Sequence, residues 1–393
     1  MRDRVTVTRR AVEKIHGGHP WVDRAEVIEP PDAGSDVVVV SDGKRVAGTA
    51  LWSARSRIAL RILARDEVAL DEGLLERRIA QALARRRALF PGADAYRVVH
   101  GEADLLPGLF IDRYADAAVI QTTCGAMDAR EATIAAVAAR LLGARIVVAR
   151  DDGAARDFEE LPRRKAVLLG TGATEVEYHD AGSVLRTDVL ADGKTGGFLD
   201  QQENHARAAS YVAVAGPGDE PPSALDAFTH HGGFGLALAR AGARVLALDE
   251  SATAIARTRD NAARNGVALE ARCENAFDAL RALEADGRRF DLVVIDPPAL
   301  AKRKSALPAA ERAYKELNLR ALRLLLPGGL LVTCSCSGKL TADHFGRVVE
   351  AAARDVGRPL QVLERRGAGR DHPPLLGVPE TDYLKTWFLR VLT

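Results

Sequence analysis

Two short segments in the second half of the chain carry residues that could do covalent chemistry together. In the first, Asp296 begins an Asp-Pro-Pro sequence after the apolar run Phe290–Ile295. In the second, Cys336 ends an apolar run that begins at Leu330. A thiolate that adds to C6 of a pyrimidine makes C5 nucleophilic enough to attack a methyl sulfonium, and a carboxylate can stabilise the edge of the base. The two segments therefore predict methylation at pyrimidine C5.

Each of these residues also has a purely structural interpretation. A lone cysteine at the end of a strand is more often buried packing than a nucleophile, and Asp-Pro-Pro can simply mark a strand end. Cys334 shares a face of the predicted strand with Cys336 and is the fallback nucleophile. Ala299 and Leu300 stand where many amino-directed nucleic-acid methyltransferases have an aromatic side chain that stacks on the flipped base. That difference disfavours methylation of an exocyclic amine.

A third segment predicts an adenosine cofactor. Gly232 and Gly233 follow the apolar run that contains Asp226, and they let the backbone approach a ligand closely. Asp249 ends the next apolar run, where a carboxylate can accept both hydroxyls of a ribose. Glycines alone indicate a plain turn as readily as a site, but with this acid they favour the cofactor. Because the chain lacks the G-x-G-x-x-G spacing of dinucleotide enzymes, S-adenosylmethionine is favoured over a pyrophosphate-containing cofactor.

Alternating strands and helices from about residue 190 must position these residues. The predicted strands are Ala224–Phe228, Arg244–Asp249, Phe290–Ile295 and Leu330–Thr333. Predicted helices lie near 234–241, 251–264, 308–326 and 341–354. This alternation predicts a doubly wound, mostly parallel sheet, in which ligands bind beyond the carboxyl ends of the strands.

The rest of the chain predicts two further domains. Residues 1–68 read as short strands with turns, including Val37–Val40 and Arg45–Leu51, which indicates a small β-barrel-like domain. Residues 69–190 combine a helix at 69–90 with several strands, which indicates a small α+β middle domain. Residues 191–393 form the predicted catalytic domain.

Composition limits the class of protein. Of the 393 residues, 47% are hydrophobic and 28% charged, which is typical of a soluble globular chain. The charged start and the lack of a long apolar run predict a cytoplasmic protein without a membrane segment. The cysteines form no CxxC pair, so neither a disulfide framework nor a metal site is expected. The net charge of +1 does not indicate nucleic acid. Residues 45–65, however, contain arginines and no acidic residue, which is either a phosphate-binding face or an ordinary solvated one.

These features together resemble the ribosomal RNA large-subunit methyltransferase I family. The most specific segment is Lys194–Gln201, which is similar to the family's K-T-G-x-[FY]-L-D-Q segment. Further matching segments are Thr229–Phe234, Asp296–Pro298, Tyr314–Asn318, Ser335–Gly338, Asp371–Pro373 and Tyr383–Lys385. The resemblance extends over essentially the whole chain and identifies the region around His19-Pro20-Trp21 as a PUA-like RNA-binding β-barrel.

The resemblance implies an α/β fold class: a C-terminal Rossmann-like methyltransferase domain, an N-terminal PUA-like β-barrel and a small α+β middle domain. It implies an enzyme that uses S-adenosylmethionine to form 5-methylcytosine in 23S ribosomal RNA, with Cys336 as nucleophile. The implied cofactor-binding residues are Lys194, Thr195, Gly196, Phe198, Asp200, Gln201, Asp226, Phe228, Gly232, Gly233, Phe234, Asp249, Asn275, Asp296 and Pro297. The implied RNA-binding residues are Trp21, Arg45, Arg55, Arg57 and Arg61.

The chain departs from the family pattern at three places. Gln202 stands where relatives usually have Arg, His230-His231 replaces a common Ser-Tyr, and Asn275 replaces an Asp that often accepts a hydrogen bond from the adenine amine. Alternatives therefore stay open: another RNA position, a small-molecule substrate, or a non-catalytic RNA-binding protein that keeps the fold. A dehydrogenase is disfavoured. The oligomeric state is not determined, and a homodimer stays open.

Overall fold

The computed structural model describes residues 3–216, 220–301 and 303–392. The chain folds into two compact units. The first consists of Met1–Tyr178, Thr187–Gly197 and Arg370–Val378. The second consists of His179–Arg186, Phe198–Gly369 and Pro379–Thr393. The three-domain division of the sequence remains a prediction. Each of the two units is formed by three separate segments of the chain, whereas the predicted domains are continuous segments.

The first unit is built around two sheets. Its strands are β1 (Arg4–Val7), β2 (Trp21–Asp23), β3 (Val27–Glu29), β4 (Val37–Ser41), β5 (Val46–Trp52), β6 (Ile58–Ala64), β7 (Ala95–His100), β8 (Leu109–Tyr114), β9 (Ala117–Thr122), β10 (Ile146–Asp151) and β11 (Arg164–Leu169). Its helices are α1 (Arg9–His16), α2 (Glu72–Leu89), α3 (Gly125–Asp128) and α4 (Glu131–Leu142). The six-stranded sheet has the order β2-β6-β5-β4-β1-β3 and the five-stranded sheet the order β11-β10-β9-β8-β7.

Helix α2 illustrates how the sequence directs this unit. Asp71 caps the helix, since its side chain accepts a hydrogen bond from the backbone N–H of Leu74. Leu75, Ile79 and Leu83 recur at helical spacing and are buried in the core beneath the five-stranded sheet. The predicted helix at 69–90 is therefore confirmed, beginning three residues later than expected.

A two-stranded sheet follows, formed by β12 (Glu175–Asp180) and β13 (Ser183–Asp188). The second unit then continues with the strands β14 (Ser223–Ala227), β15 (Arg244–Asp249), β16 (Glu270–Cys273), β17 (Phe290–Ile295), β18 (Leu325–Ser335), β19 (Leu360–Arg366) and β20 (Lys385–Val391). Its helices are α5 (Gln202–Ser210), α6 (Gly233–Arg240), α7 (Ala252–Arg264), α8 (Ala276–Ala285), α9 (Leu307–Leu324) and α10 (Ala342–Val356).

The sheet of the second unit has the order β16-β15-β14-β17-β18-β20-β19. Strands β14 to β18 pair in parallel, whereas β20 runs antiparallel to both of its neighbours. Apolar clusters cover both faces, one with helices α8, α9 and α10 and the other with α5 and α6. The predicted doubly wound sheet is confirmed. Strand β16, helix α8 and the two antiparallel strands were not predicted.

No helix among residues 3–216, 220–301 and 303–392 is long and apolar enough to cross a membrane.

Candidate active site at the carboxyl ends of the strands

The sheet brings together the two segments whose residues suggested chemistry. Asp296 follows the last residue of β17, and Cys336 follows the last residue of β18. These two strands are parallel neighbours, with Ile295 in register with Thr333. The Sγ atom of Cys336 lies 3.9 Å from the carbonyl oxygen of Pro297. The carboxylate and the thiol therefore emerge at the same edge of the sheet, as parallel pairing requires.

The side chain of Asp296 is held by Gln201. A single turn of 3-10 helix at Leu199–Gln201 presents this glutamine, which is only 2% exposed. Its Nε2 donates to Oδ2 of Asp296 at 3.1 Å. Its Oε1 accepts from Asn204 Nδ2 at 2.7 Å and from Thr386 Oγ1 at 3.2 Å. Because both the nitrogen and the oxygen of the amide form hydrogen bonds, the orientation of Gln201 is determined. The position of Asp296 Oδ2, which accepts from this amide, is thereby held as well.

Asp200 precedes Gln201 and is anchored in the same unit. Its Oδ2 accepts a hydrogen bond from the hydroxyl of Tyr383 at 2.7 Å, and its backbone oxygen accepts one from the N–H of Gly369 at 2.9 Å. Asp200 is 4% exposed. These contacts hold the backbone in place just before α5.

The two neighbouring cysteines have different environments. Cys336 is partly exposed beyond the strand, whereas Cys334 is completely buried inside it. Burial raises the pKa of the Cys334 thiol well above its usual value, with a further increase from the charge of Asp296. A buried thiol that stays protonated is a poor nucleophile. The fallback prediction for Cys334 is therefore wrong, because this residue packs in the apolar core under the sheet.

A tyrosine clamps the residues on both sides of Cys336. Ser335 Oγ donates to the hydroxyl of Tyr314 at 3.0 Å, and the same hydroxyl lies 3.0 Å from Ser337 Oγ. Ser337 Oγ also accepts a hydrogen bond from the N–H of Ala301 at 3.1 Å, in the segment after Asp-Pro-Pro. Burial raises the pKa of Tyr314, so its hydroxyl remains a neutral donor and acceptor. Sequence reasoning noted Tyr314 in a matching segment but gave it no role.

The glycine-containing loop after β14 is wound around Asp226. Oδ2 of this buried aspartate accepts from Thr229 Oγ1 at 2.6 Å and from the N–H of Gly235 at 2.8 Å. Its Oδ1 is buried and has no hydrogen-bond partner within the described structure. Burial raises the pKa of Asp226 to about 6 despite these two donors. A buried acceptor without a donor is costly in a protein alone, so this atom fits a site completed by a ligand.

The backbone of this loop is strained. Phe228 and His230 have φ values of 70° and 50°, which non-glycine residues adopt only at a cost of about 1–3 kcal/mol each, and Gly232 follows at 91°. Such strain is concentrated at ligand-binding turns.

Gly233 begins α6 directly against a buried histidine. A Cβ atom at this position would lie 2.4 Å from Cε1 of His205, so only glycine fits. The Nδ1 of His205 lies 2.9 Å from Oδ2 of Asp180, and its ring packs edge-on against Phe234. Burial opposes a charge on His205, but the Asp180 carboxylate raises its pKa overall. Sequence reasoning missed this pair, since nothing in the spacing of Asp180 and His205 joins them.

Two predicted cofactor residues also serve the loops in which they lie. Oδ2 of Asp249 accepts from the N–H of His230 at 3.0 Å, and Oδ1 accepts from the N–H of Ser251 at 2.9 Å. Each oxygen keeps a second lone pair for a ribose hydroxyl. Asn275 caps α8, because its Oδ1 accepts from the N–H of Phe277 at 3.0 Å. The same oxygen is the one expected to meet the adenine amine.

The three predicted aromatic residues differ in their surroundings. Phe234 is 4% exposed and its ring lies in the core, so its side chain is not available to a ligand and only its backbone is. Phe228 packs edge-on against Phe277, and Phe198 packs edge-on against His230. The cofactor contact predicted for Phe234 therefore stays a prediction for its backbone only, because helical spacing turns the side chain inward.

The segment Lys194–Gln201 is divided between the two units after Gly197. In the first unit, Thr195 Oγ1 donates to Oδ2 of Asp112 at 2.7 Å and lies 3.0 Å from the hydroxyl of Tyr114. Gly196 has φ of 135°, a conformation that favours glycine. Lys194 is exposed. The cofactor contacts predicted for Lys194, Thr195 and Gly196 remain predictions.

The predicted RNA-binding residues separate into two groups. Arg45, Arg55 and Arg57 are exposed, although Arg55 pairs with Glu160 at 2.6 Å and Arg57 with Asp23 at 3.3 Å. The Arg61 side chain is only 14% exposed and is bound by Glu159 and Glu102. Indole Nε1 of Trp21 donates to Glu102 at 2.8 Å. The expectation that Arg61 and Trp21 lie on a free basic face is therefore wrong, because acids of the same unit bind Nη1 and Nη2 of Arg61 and Nε1 of Trp21.

One acidic group lies elsewhere in the first unit. The carboxylates of Asp128, Glu131 and Asp151 lie within 4.8 Å of one another. Arg156 pairs with Asp128 and Asp151, and Arg164 pairs with all three acids. Burial, together with neighbouring Asp151, raises the pKa of Glu131 to about 7. Arginines already balance these charges, and the expectation of a metal-free protein stays a prediction.

Comparison with known proteins identifies the family. Residues 167–384 match the family described as S-adenosylmethionine-dependent methyltransferase, and residues 5–65 match the PUA-like domain. The ribosomal RNA large subunit methyltransferase I of Shewanella amazonensis is 38% identical over 95% of this chain and 95% of its own length. That of Tolumonas auensis is 34% identical over 95% of this chain and 96% of its own. The chain belongs to the ribosomal RNA large subunit methyltransferase I family. Its cofactor is S-adenosylmethionine.

Solved structures agree with this fold. A protein from Streptococcus mutans assigned as a SAM-dependent methyltransferase has a TM-score of 0.81 at 18% identity, with 99% of this chain and 100% of that chain covered. The methyltransferase SMU.776, complexed with SAH, has a TM-score of 0.83 at 19% identity, with the same coverage. Identities this low establish the architecture alone. The residues of this family member fit the cofactor, since Asp226 leaves a buried acceptor open and Gly233 admits no side chain.

Proposed function

We propose that this family member forms 5-methylcytosine in 23S ribosomal RNA through a covalent adduct of Cys336. The observation that carries the proposal is the 3.9 Å approach of Cys336 Sγ to the carbonyl oxygen of Pro297, directly after Asp296. A thiol and a carboxylate at one sheet edge suit an attack on a pyrimidine whose edge is held by the acid. The names of the relatives support ribosomal RNA of the large subunit as the substrate, and a ribosomal substrate is consistent with the proposed cytoplasmic location.

The proposed cofactor contacts follow from the loops at the strand ends. Asp226, Gly232, Gly233 and the backbone of Phe234 would line the methionine side, and Asp249 would accept the ribose hydroxyls. We assign the adenine to Phe228 and Asn275, and further contacts to Phe198, Asp200, Gln201, Asp296 and Pro297. When bound, S-adenosylmethionine supplies an electrophilic methyl group on a sulfonium.

The proposed chemistry uses Cys336 twice. Its thiolate forms a bond to C6 of the cytosine, and the electron pair moves to C5, which takes the methyl group as the methyl–sulfonium bond breaks. A base then removes the proton from C5, the C5–C6 double bond re-forms, and the thiolate leaves C6. Asp296 accepts a hydrogen bond from the base edge, or donates one in its protonated form, and Gln201 holds it for that task.

RNA binding is proposed for the PUA-like domain. Its exposed Arg45, Arg55 and Arg57 supply positive charge, and their ion pairs with Asp23 and Glu160 are exposed, so phosphates can compete with those carboxylates. Arg61 and Trp21 take no part in this proposal.

The test is transfer of labelled methyl from S-adenosylmethionine to unmodified large-subunit ribosomal RNA, with nucleosides identified by mass spectrometry. Cys336→Ala should abolish formation of 5-methylcytidine, whereas Cys334→Ala, which changes a buried thiol of the same strand, should retain it. With 5-fluorocytidine in the RNA, wild type should remain covalently attached, because no proton can leave C5. Methylation of another nucleoside, or full activity of Cys336→Ala, would overturn the proposal.

A further inference from the structure

A buried lysine lies at the start of the last strand, beside the segment that carries Cys336. Lys385 is 4% exposed. Its ammonium group donates to the backbone oxygens of Ser337 at 2.9 Å, Leu340 at 2.8 Å and Tyr383 at 2.8 Å. Ser337 is the residue immediately after Cys336. Two of the three donors of the ammonium group therefore hold the turn that follows Cys336, and the third binds the segment just before Lys385.

Among the described residues, no carboxylate forms a hydrogen bond with this ammonium group. Three neutral carbonyl oxygens solvate the ammonium group, and burying a cation without a counter-ion is expensive. Burial therefore lowers the pKa of Lys385 to about 8. The negative charges of Cys336 and Asp382 oppose this decrease. Asp382 is exposed, so solvent screens much of its charge. The thiolate of Cys336, the residue before the Ser337 carbonyl that the ammonium group bonds, is an anion that can compensate the buried cation.

We propose that Lys385 is a positioning residue for the covalent step: it holds the turn after Cys336 and stabilises the thiolate by its charge. The inference rests on the proposed function of Cys336 and goes beyond it, since it names what makes the thiol nucleophilic. Tyr314 and Cys334 also interact electrostatically with Cys336, and burial keeps both of them neutral. Neither can supply a positive charge. Lys385 was noted in the sequence only as part of a matching segment.

The experiment measures the reactivity of the thiol independently of turnover. Alkylation of Cys336 by iodoacetamide is followed from about pH 6 to about pH 10, with the modified peptide quantified by mass spectrometry. The background is Cys273→Ser, because Cys273 is exposed, whereas Cys124 and Cys334 are buried. Lys385→Gln removes the charge but retains hydrogen-bond donors, Lys385→Arg retains both, and Lys339→Gln removes an exposed charge from the same turn.

Lys385→Gln should raise the apparent pKa of the Cys336 thiol by about one unit, which makes alkylation about tenfold slower at about pH 7. Lys385→Arg and Lys339→Gln should keep the wild-type profile to within about twofold. The proposal would be overturned if folded Lys385→Gln kept the wild-type pH profile of Cys336 alkylation. It would also be overturned if alkylation slowed equally in Lys339→Gln. If Lys385→Gln does not fold, the wild-type profile decides: the apparent pKa of Cys336 should lie below the value of about 8.5 of a free cysteine, and a value at or above it would contradict the inference.

The outcome is distinguishable from failure of the proposed function. If Cys336→Ala still methylates RNA, the covalent mechanism is wrong, whatever the thiol profile. If Cys336→Ala is inactive but Lys385→Gln leaves the alkylation profile of the thiol unchanged, the covalent mechanism is supported. The role proposed for Lys385 is then wrong. Binding of S-adenosylmethionine, measured by calorimetry, should be the same in wild type and Lys385→Gln.

Discussion

Gln201 donates a hydrogen bond through Nε2 to Oδ2 of Asp296 at 3.1 Å, and this contact joins the segment before α5 to the Asp-Pro-Pro sequence. The glutamine is itself held by Asn204 and Thr386. A chain of side-chain hydrogen bonds thus runs from β20 to the carboxylate at the end of β17. The structure thus gives Gln201 the support of an acid in addition to the cofactor contact predicted for it.

Gln201→Ala should therefore slow methyl transfer more than it weakens cofactor binding. Loss of one hydrogen bond to a charged group corresponds to about 1.5–3 kcal/mol, or about a tenfold to hundredfold decrease in kcat. We expect the Kd for S-adenosylmethionine to change by no more than about threefold. Gln202→Ala is the matched control, because Nε2 of Gln202 has no hydrogen-bond partner in the described structure. Equal losses in the two variants would rule out a specific role for Gln201.

Gly233→Ala should disrupt the glycine-containing loop. The new Cβ would lie 2.4 Å from His205 Cε1, and that histidine is fixed by Asp180. We expect overpacking to cost about 1–3 kcal/mol of stability and to raise the Kd for S-adenosylmethionine by about tenfold or more. Gly153→Ala is the control, since a Cβ there meets no atom within 4 Å. Calorimetric binding and thermal unfolding of both variants check the prediction, and unchanged cofactor affinity of Gly233→Ala would contradict it.

Charge reversal at Arg55 and Arg57 should weaken RNA binding without unfolding the protein. Both arginines make exposed ion pairs, which contribute about 0–1 kcal/mol each. Removal of two phosphate contacts should reduce the slope of log K against log salt by about 1–2. Arg9→Glu, which changes an exposed arginine of the same domain paired with Glu13, should leave the slope unchanged. Filter-binding titrations at several salt concentrations measure this slope. If the double variant keeps the wild-type slope, Arg55 and Arg57 do not bind RNA phosphates.

The sequence predicted the catalytic sheet better than its surroundings. Strands such as Arg244–Asp249 and Phe290–Ile295 are largely apolar runs, as is typical of parallel strands that are buried on both faces, and each has an acid at or directly after its last residue. It also placed Asp296 and Cys336 at one edge, because alternation of strands and helices leaves few topologies. Strand β19 was missed, since Leu360–Arg366 has exposed and charged residues at the edge of the sheet.

Side-chain partners distant in sequence could not be predicted. Asp180 and His205, Tyr314 and Ser337, and the carbonyl oxygens around Lys385 meet only through tertiary folding, and no periodicity links them. The basic segment shows the opposite failure. Arg61 looked equivalent to Arg55 in the sequence, but Glu159 and Glu102 neutralise it from elsewhere in the unit. The net charge of a single segment does not include the acidic residues from other segments that the fold places next to it.

The depressed pKa of Lys385 predicts a specific dependence of stability on pH. In the unfolded chain this lysine binds its proton up to its usual pKa of 10.5, whereas in the folded chain it releases the proton near 8. Between these values the unfolded state binds more protons, so the contribution of Lys385 to the free energy of unfolding rises with pH and is lost as pH falls through 8. Urea unfolding at about pH 7, 8.5 and 10 should show this rise in wild type. Lys385→Gln should lack it, and parallel pH profiles of the two proteins would contradict the burial of a charged ammonium group.

Tyr314→Phe should separate the positioning of Cys336 from the packing beneath it. The ring of Tyr314 is fully buried and packs edge-on against Phe345, and Phe preserves this contact. The hydroxyl bonds to both Ser335 and Ser337, so its loss loosens the chain on both sides of the thiol and costs about 1–3 kcal/mol of stability. We expect a decrease in kcat of about tenfold with little change in cofactor affinity. Phe345→Leu, which alters the packing but leaves the hydroxyl in place, is the control for stability. If Phe345→Leu at equal loss of stability lowers kcat as much as Tyr314→Phe, the hydroxyl clamp has no role beyond packing.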